Sequence, residues 1–142
     1  MTEFDRAAFE TALIADMRAN GGAVTQGPMA GGTLLILTTT GARSGEARRA
    51  ILAYMRDGDD YVIAGSNSGQ PADPPWVRNI AADASVTVEA GGRVFGALAR
   101  VTDDADRAVL WDRLVAAMPP FAEYPRTSGR TIPMVRLTPS AG

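Results

Sequence analysis

Two tight turns constrain the fold of this chain more than any other feature in it. Asp57-Gly58-Asp59-Asp60 separates the β-prone runs 48–56 and 61–66, and Ala90-Gly91-Gly92 separates 86–89 from 93–102. Both turns favour positive φ. Connections this short join antiparallel neighbours, because a parallel crossover needs a dozen residues or more. The runs are therefore hairpins, not βαβ units. A further run, Thr33 to Thr40, is continuous, β-branched and leucine-rich, and it lies between glycines. It is too short for a typical helix and suits a central strand buried on both faces. Met134 to Leu137 reads as the last strand.

Helical spacing appears in three places. From Phe4 to Arg18, the set Phe4, Ala8, Ala12 and the set Phe9, Leu13, Met17 recur on one side, with Thr2 and Asp5 as a weak capping box. Asn20-Gly21-Gly22 stops this amphipathic helix, and a loop with Gly27-Pro28 and Gly31-Gly32 follows. Covering the barrel is the commoner use of such a face, although it would also suit a partner or a lipid surface. Asp73, as a capping oxygen, and Pro74 predict a short helix over 76–82. Asp103 or Asp104 caps a third helix. There Ala108, Trp111, Val115 and Met118 fall on one face beside Leu110 and Leu114, and Pro119-Pro120 ends it. In that stripe Trp111 is a packing residue.

About six mostly antiparallel strands, an N-terminal helix, a short helix and a helix in the C-terminal half predict an α+β barrel, not a doubly wound sheet. With 142 residues and a hydrophobic fraction of 46%, the expectation is one domain, with residues 1–20 as the helix and 33–138 as the barrel. No stretch reaches the roughly 20 apolar residues of a membrane span, and the start lacks a basic-then-apolar export pattern. A cytoplasmic protein is expected, with the first helix as the part able to touch the inner face of the membrane.

The side chains that are missing narrow the chemistry. The sequence has no cysteine and no histidine, which excludes thiolate nucleophiles, disulfides, the Ser-His-Asp arrangement and most zinc or haem ligation. No metal site is expected. Lysine is absent too, so Schiff-base catalysis through a side-chain amine is excluded and every cationic side chain is an arginine. A net charge of −2 gives the surface as a whole no attraction for nucleic acid, so any anion site must be local.

One such cluster follows the central strand. In Thr38-Thr39-Thr40-Gly41-Ala42-Arg43-Ser44-Gly45-Glu46-Ala47-Arg48-Arg49 a strand runs into a turn with two glycines. The glycines let backbone N–H groups converge, and Arg43, Arg48 and Arg49 add charge. Bidentate guanidinium groups suit phosphate or carboxylate. The same composition also describes an exposed hairpin turn with solvated arginines.

The stretch 38–45 closely resembles the T-T-G-x-[KR]-[ST]-G turn of the deazaflavin-dependent nitroreductase family, in the flavin-reductase-like split β-barrel group. Further matches follow in order: Ala64-Gly65-Ser66-Asn67-Ser68-Gly69, Pro74-Pro75-Trp76-Val77-Arg78-Asn79-Ile80 and Gly129-Arg130-Thr131-Ile132-Pro133-Met134-Val135. The resemblance covers roughly residues 21–139. It implies a split barrel that binds coenzyme F-420, an 8-hydroxy-5-deazaflavin with a phosphate and an oligoglutamate tail; FMN is the alternative ring system. By the same resemblance Gly41, Ala42, Arg43, Ser44 and Gly45 grip the tail. Arg48, Ala50 and Ile51 lie along the ring, Ala64, Ser66 and Asn67 edge it, and Trp76 and Asn79 stand at the rim.

The implied activity is hydride transfer from the reduced deazaflavin to an activated alkene (an enone), a quinone or a nitro compound. Such a cofactor carries the hydride and asks the protein mainly for position and electrostatics. Ser66 is the candidate for orienting the polar group of the substrate. Tyr124 is the candidate hydroxyl for the accompanying proton, and with Phe121 it is a candidate lid residue. The chain departs from the family at four positions. Ala42 stands where many members are basic, Ile51 where many have proline, Ala53 where nitroreductase-type members place a substrate-facing tyrosine, and Asn67 where some have lysine. An apolar pocket enlarged at Ala53, with Trp76, Phe121 and Tyr124 around it, suits a bulky enone or quinone. The expected partner is a small-molecule electron acceptor, and the expected assembly a monomer or homodimer. The contrasting function is a non-catalytic split-barrel carrier for a hydrophobic ligand such as a fatty acid.

Overall fold

The computed structural model describes residues 6–25 and 34–140. Thr2, Phe4 and Asp5 of the first helical pattern, and Gly27, Pro28, Gly31, Gly32 and Thr33, lie outside the described residues. The chain runs through helix α1 (Arg6–Ala19), strands β1 (Leu34–Thr40), β2 (Ala47–Ala53), β3 (Met55–Asp57) and β4 (Asp60–Ala64), and helix α2 (Pro75–Ala82). Strands β5 (Ser85–Ala90) and β6 (Arg93–Val101), helices α3 (Asp104–Ala117) and α4 (Tyr124–Ser128), and strand β7 (Met134–Pro139) follow. Short 3-10 turns occupy Asn67–Gly69 and Pro119–Glu123.

All the strands join one antiparallel sheet in the order β2-β1-β5-β6-β7-β4-β3. Its two edge strands, β2 and β3, are separated in the chain only by Tyr54. The sheet must therefore curl until its edges approach each other, and the result is an α+β split barrel, the class read from the sequence. There is one more strand than expected, because the run 48–56 breaks at Tyr54. Pairing with β1 from Leu34↔Ala53 to Thr40↔Ala47 occupies its first part. The Asp-Gly hairpin, in register Asp57↔Asp60, captures its last three residues. At the other hairpin Gly91 and Gly92 both have positive φ, 57° and 78°, as a two-residue turn of the twisted hairpin type requires.

Two strands are buried on both faces, which explains their unbroken apolar character. Leu35 and Leu37 of β1 point into the barrel with Tyr61 and Ile63 of β4, Val86 and Val88 of β5, and Val135 and Leu137 of β7. On its other face β1 presents Leu34 and Ile36 to Leu13, Ile14 and Met17 of α1. Likewise β4 presents Val62 and Ala64 to Leu110 and Leu114 of α3. Each such leucine contributes roughly 1.5–3 kcal/mol by leaving water.

The helices differ in detail from the spacing. In α1 the buried stripe is Leu13, Ile14 and Met17, whereas Ala8 and Ala12 are exposed. In α3 it is Leu110 and Leu114, flanked by half-buried Trp111 and Met118, and Ala108 faces water. Asp103 does cap α3, accepting the Asp106 amide at 2.8 Å. Asp73 does not cap α2, because the helix starts at Pro75 with Pro74 in the cap position, one residue beyond Asp73, whose carboxylate accepts from Arg130 at 2.5 Å. Beyond Pro119-Pro120 the chain re-enters helix as α4, a turn the proline pair concealed. Among the described residues no helix is long and apolar enough to cross a membrane.

An ion cluster ties α3 to the β3–β4 hairpin. Arg136 of β7 donates to both carboxylate oxygens of Asp106 at 2.7 Å, to Asp57 at 2.6 Å and to Asp60 at 3.2 Å. These hydrogen bonds hold the Asp106 carboxyl below the usual range and, with Arg113, do the same for Asp57.

Candidate active site

The turn that joins β1 to β2 is held mainly by its own amides. Gly41 N–H donates to the Glu46 carbonyl at 2.8 Å and Gly45 N–H to the Gly41 carbonyl at 2.9 Å. The Glu46 amide donates to Ser44 Oγ at 3.2 Å. Gly45 takes φ 70°, the left-handed value a β-carbon opposes. From below, Asn79 of α2 accepts the Ala42 N–H on its side-chain oxygen at 2.9 Å and donates its amide to Thr39 Oγ1 at 3.0 Å. Both Asn79 and Thr39 are buried.

The turn is consequently not a cradle of free backbone donors. Among its described residues only the amides of Arg43 and Ser44 lack a partner, since the others are spent on shape. Its capacity for anions rests on guanidinium groups. Arg43 is exposed and unpartnered among the described residues, while Arg48 lies 3.3 Å from Glu46 and 3.5 Å from Ser44 Oγ.

This turn forms one end of a cleft of about 860 Å³. One wall is the unpaired edge of β2. Ala50 and Leu52 pack toward the barrel interior and Ile51 and Ala53 toward α1, yet all four line the cleft, so it reaches around both faces of the strand. Ala64, Ser66 and Asn67 form the opposite wall, the start of α2 brings Trp76, and Phe121 and Tyr124 stand over the gap. The Phe121 and Tyr124 rings meet edge to face at 5.2 Å and rest on the α3 cluster.

The structure thus brings together nearly all of the residues singled out in the sequence. Gly45 shapes the turn without lining the cleft, and Asn79 lines it with its amide committed to Thr39 and Ala42. Trp76 is only 5% exposed, so it is a core residue with an edge at the cleft. Asn67 adopts φ 49° and is pinned by its amide to the Ala72 carbonyl at 3.0 Å. Neither the Ser66 nor the Tyr124 hydroxyl has a hydrogen-bond partner among the described residues, which leaves both available to a ligand.

Arg130, in the segment 129–135, has a structural part that its local sequence does not signal. Its guanidinium donates to the carbonyls of Gly65 (3.0 Å), Ser66 (3.1 Å), Gln70 (3.2 Å) and Ala72 (3.0 Å) as well as to Asp73. With 16% of its side chain exposed, it fixes the loop that carries Ser66 and Asn67. Glu10, Leu34 and Arg78 also line the cleft. Glu10 comes there through the docking of α1, a tertiary event without a local signal, and Leu34 through its pairing in β1 with Ala53 of β2. Arg78 was legible in principle, as the cation between Trp76 and Asn79.

The family model of the F420H(2)-dependent quinone reductases matches residues 11–139. The chain belongs to that family. A quinone reductase of this kind from Mycobacterium tuberculosis is 36% identical to it over 107 residues, 73% of this chain and 72% of the relative. Among solved structures, an F420-H2-dependent reductase, FDR-A, superposes with a TM-score of 0.67 at 33% identity, covering 74% of this chain and 93% of that one. A second solved structure, described only as a domain-swapped dimer, gives 0.69 at 29% identity over 92% and 96% of the two chains.

The cofactor of this reductase family fits the cleft. A deazaflavin ring requires an apolar slot, and Ala50, Leu52 and Ala64 provide one along the β2 edge. A polyanionic tail requires cations, and Arg43 and Arg48 of the turn region, with Arg49 and Arg78, line the cleft. The volume falls within the roughly 300–1,000 Å³ of ligand pockets.

Proposed function

We propose that this protein transfers a hydride from reduced coenzyme F-420 to a quinone, with enones and nitro compounds as further acceptors of the same electronic kind. The observation that carries this reading is the cleft itself. It pairs an arginine-bearing turn with an apolar strand edge, in a chain that has no cysteine to carry thiol redox chemistry of its own.

Reduced F-420, when bound, supplies the hydride. Arg43 and Arg48 hold the tail by charge-assisted hydrogen bonds, each worth about 1.5–3 kcal/mol. Asn79 keeps the turn that bears them fixed to α2, so little order has to be acquired on binding. Ala50 and Leu52 present a flat apolar surface to the ring, and Ala53 leaves space beside it for the acceptor. After hydride delivery a quinone needs one proton to become the hydroquinone. Tyr124 donates it directly or through water, and Ser66 orients the acceptor oxygen. Phe121 and Tyr124 limit the access of bulk water from above. The protein works as a monomer or homodimer, a reading supported by the relative described as a domain-swapped dimer.

Anaerobic mixing of the protein, reduced F-420 and a soluble quinone tests this function. Reoxidation of the deazaflavin should require both protein and quinone and saturate with quinone. No protein-dependent reoxidation with any quinone, enone or nitro compound would refute it.

A further inference from the structure

We infer that Glu10 of α1 is a specificity-determining residue that sorts electron acceptors by charge, disfavouring anionic quinones against neutral ones. The inference rests on the reading of the cleft as a quinone site. Glu10 is half-buried, and among the described residues that line the cleft it is the only acidic one, against four arginines.

The two signs of charge enter the cleft from different elements. Arg43 belongs to the turn, Arg48 to the start of β2, and the bond from Asn79 to Ala42 keeps α2, with Arg78, beside the same turn. Glu10 arrives with α1 at the other end of β2. Phe9, the residue before it, packs in one cluster with Ile51 and Ala53, and Leu34, the partner of Ala53, lines the cleft there. Five residues of extended strand separate Ala53 from Arg48, so the two backbones are roughly 16 Å apart, about two Debye lengths at physiological ionic strength. Arg49 shares the α1 side of β2 with Ile51 and Ala53, but it lies in the field of Glu89 on β5. Bound coenzyme sharpens the contrast, since its polyanionic tail neutralises the arginines of the turn and leaves the space beside Ala53 no gain from them. A neutral quinone is indifferent to the Glu10 carboxylate. A sulfonate or carboxylate on the acceptor ring is repelled by it, and between apolar walls that repulsion exceeds its value in open water.

The test compares kcat/KM for two soluble probes, a neutral methylnaphthoquinone and a naphthoquinone sulfonate, with reduced F-420 and wild type, Glu10→Gln or Glu10→Asp. The readout is the ratio of the anionic to the neutral probe, taken relative to wild type so that the difference in ring reactivity cancels. Glu10→Gln should raise this ratio about fivefold, the size expected of one unit charge nearby in a partly solvated cleft, and Glu10→Asp should keep it close to the wild-type value. Loosened packing of α1 would lower kcat/KM for both probes and cannot produce a selective gain for the anion. Added salt should raise the wild-type ratio, and raise it less in Glu10→Gln. A Glu10→Gln ratio within about twofold of wild type, or a wild-type ratio independent of salt, would overturn the inference alone. Wild-type protein that reduces neither probe would overturn the quinone reading beneath it.

Discussion

The side-chain oxygen of Asn79 accepts the backbone N–H of Ala42 at 2.9 Å, and this bond fastens the arginine-bearing turn to helix α2. Because the same side chain donates to the buried Thr39 hydroxyl, one residue couples the end of β1, the turn and the helix. Truncation to Asn79→Ala leaves a buried hydroxyl and an amide unpaired. The expected cost is about 1–3 kcal/mol of stability, read from urea unfolding, together with weaker coenzyme binding. Unchanged stability and affinity would show that the turn holds its shape without this bond.

The two arginines of the turn should differ. Arg43 is unpartnered among the described residues, whereas the charge of Arg48 is shared with Glu46 at 3.3 Å. Arg43→Ala is therefore expected to weaken F-420 binding more than Arg48→Ala. Glu46→Gln should strengthen it modestly, by about 0–1 kcal/mol for so exposed a pair. Isothermal titration of the three variants checks the order, and a loss of affinity in Glu46→Gln would contradict it.

Arg130 bonds four carbonyls and one carboxylate around residues 65–73, a pattern a lysine ammonium cannot reproduce. Arg130→Lys should loosen the wall that holds Ser66 and Asn67. The expected signature is a raised KM for quinone and a lowered kcat, with tail-dependent affinity for the coenzyme largely retained. An equal loss in every parameter would indicate general destabilisation instead.

Tyr124→Phe removes the hydroxyl proposed to supply the proton while keeping the edge-to-face contact with Phe121. Positioned general acids contribute roughly 10²–10⁴-fold, and water replaces part of that in an open cleft. A fall in kcat of about tenfold or more, with coenzyme affinity unchanged, is expected in steady-state assays. A kcat equal to wild type would remove Tyr124 from the chemistry.

Acid stability should trace to the Arg136 cluster. Hydrogen bonds from Arg136 depress the carboxyl pKa values of Asp57 and Asp106 in the folded state. Below the ordinary aspartate value of about 3.9 the unfolded chain then binds more protons than the native one. This stabilisation is complete above that value and is lost as pH falls through the folded pKa values. Arg136→Met should lower the melting midpoint at pH 7 and flatten its decline between about pH 5 and pH 2. An acid profile parallel to wild type would contradict the assignment.

The sequence showed the barrel well where local chemistry dictates geometry. Both hairpins have the register their turn residues imply, and β1 is buried on both faces as its composition suggests. It did not show where a run is divided between two partners. The break at Tyr54 arises because β2 and β3 serve opposite edges of a closing sheet, a global constraint absent from the local pattern. The site followed the same rule. Arg43, Ser66 and Asn67 stood in recognisable segments, whereas the service of Asp73 to Arg130 instead of α2 depends on a contact across 57 residues. The internal bonds of the turn amides, including that to Asn79, become visible only in three dimensions.

A crystal structure of the protein with oxidised F-420 is the most direct measurement. The ring should lie along the β2 edge at Ala50–Leu52, with the guanidinium of Arg43 or Arg48 bonded to phosphate or tail carboxylates. A coenzyme bound elsewhere on the barrel, or seated in the cleft with both guanidinium groups turned into solvent, would contradict the account.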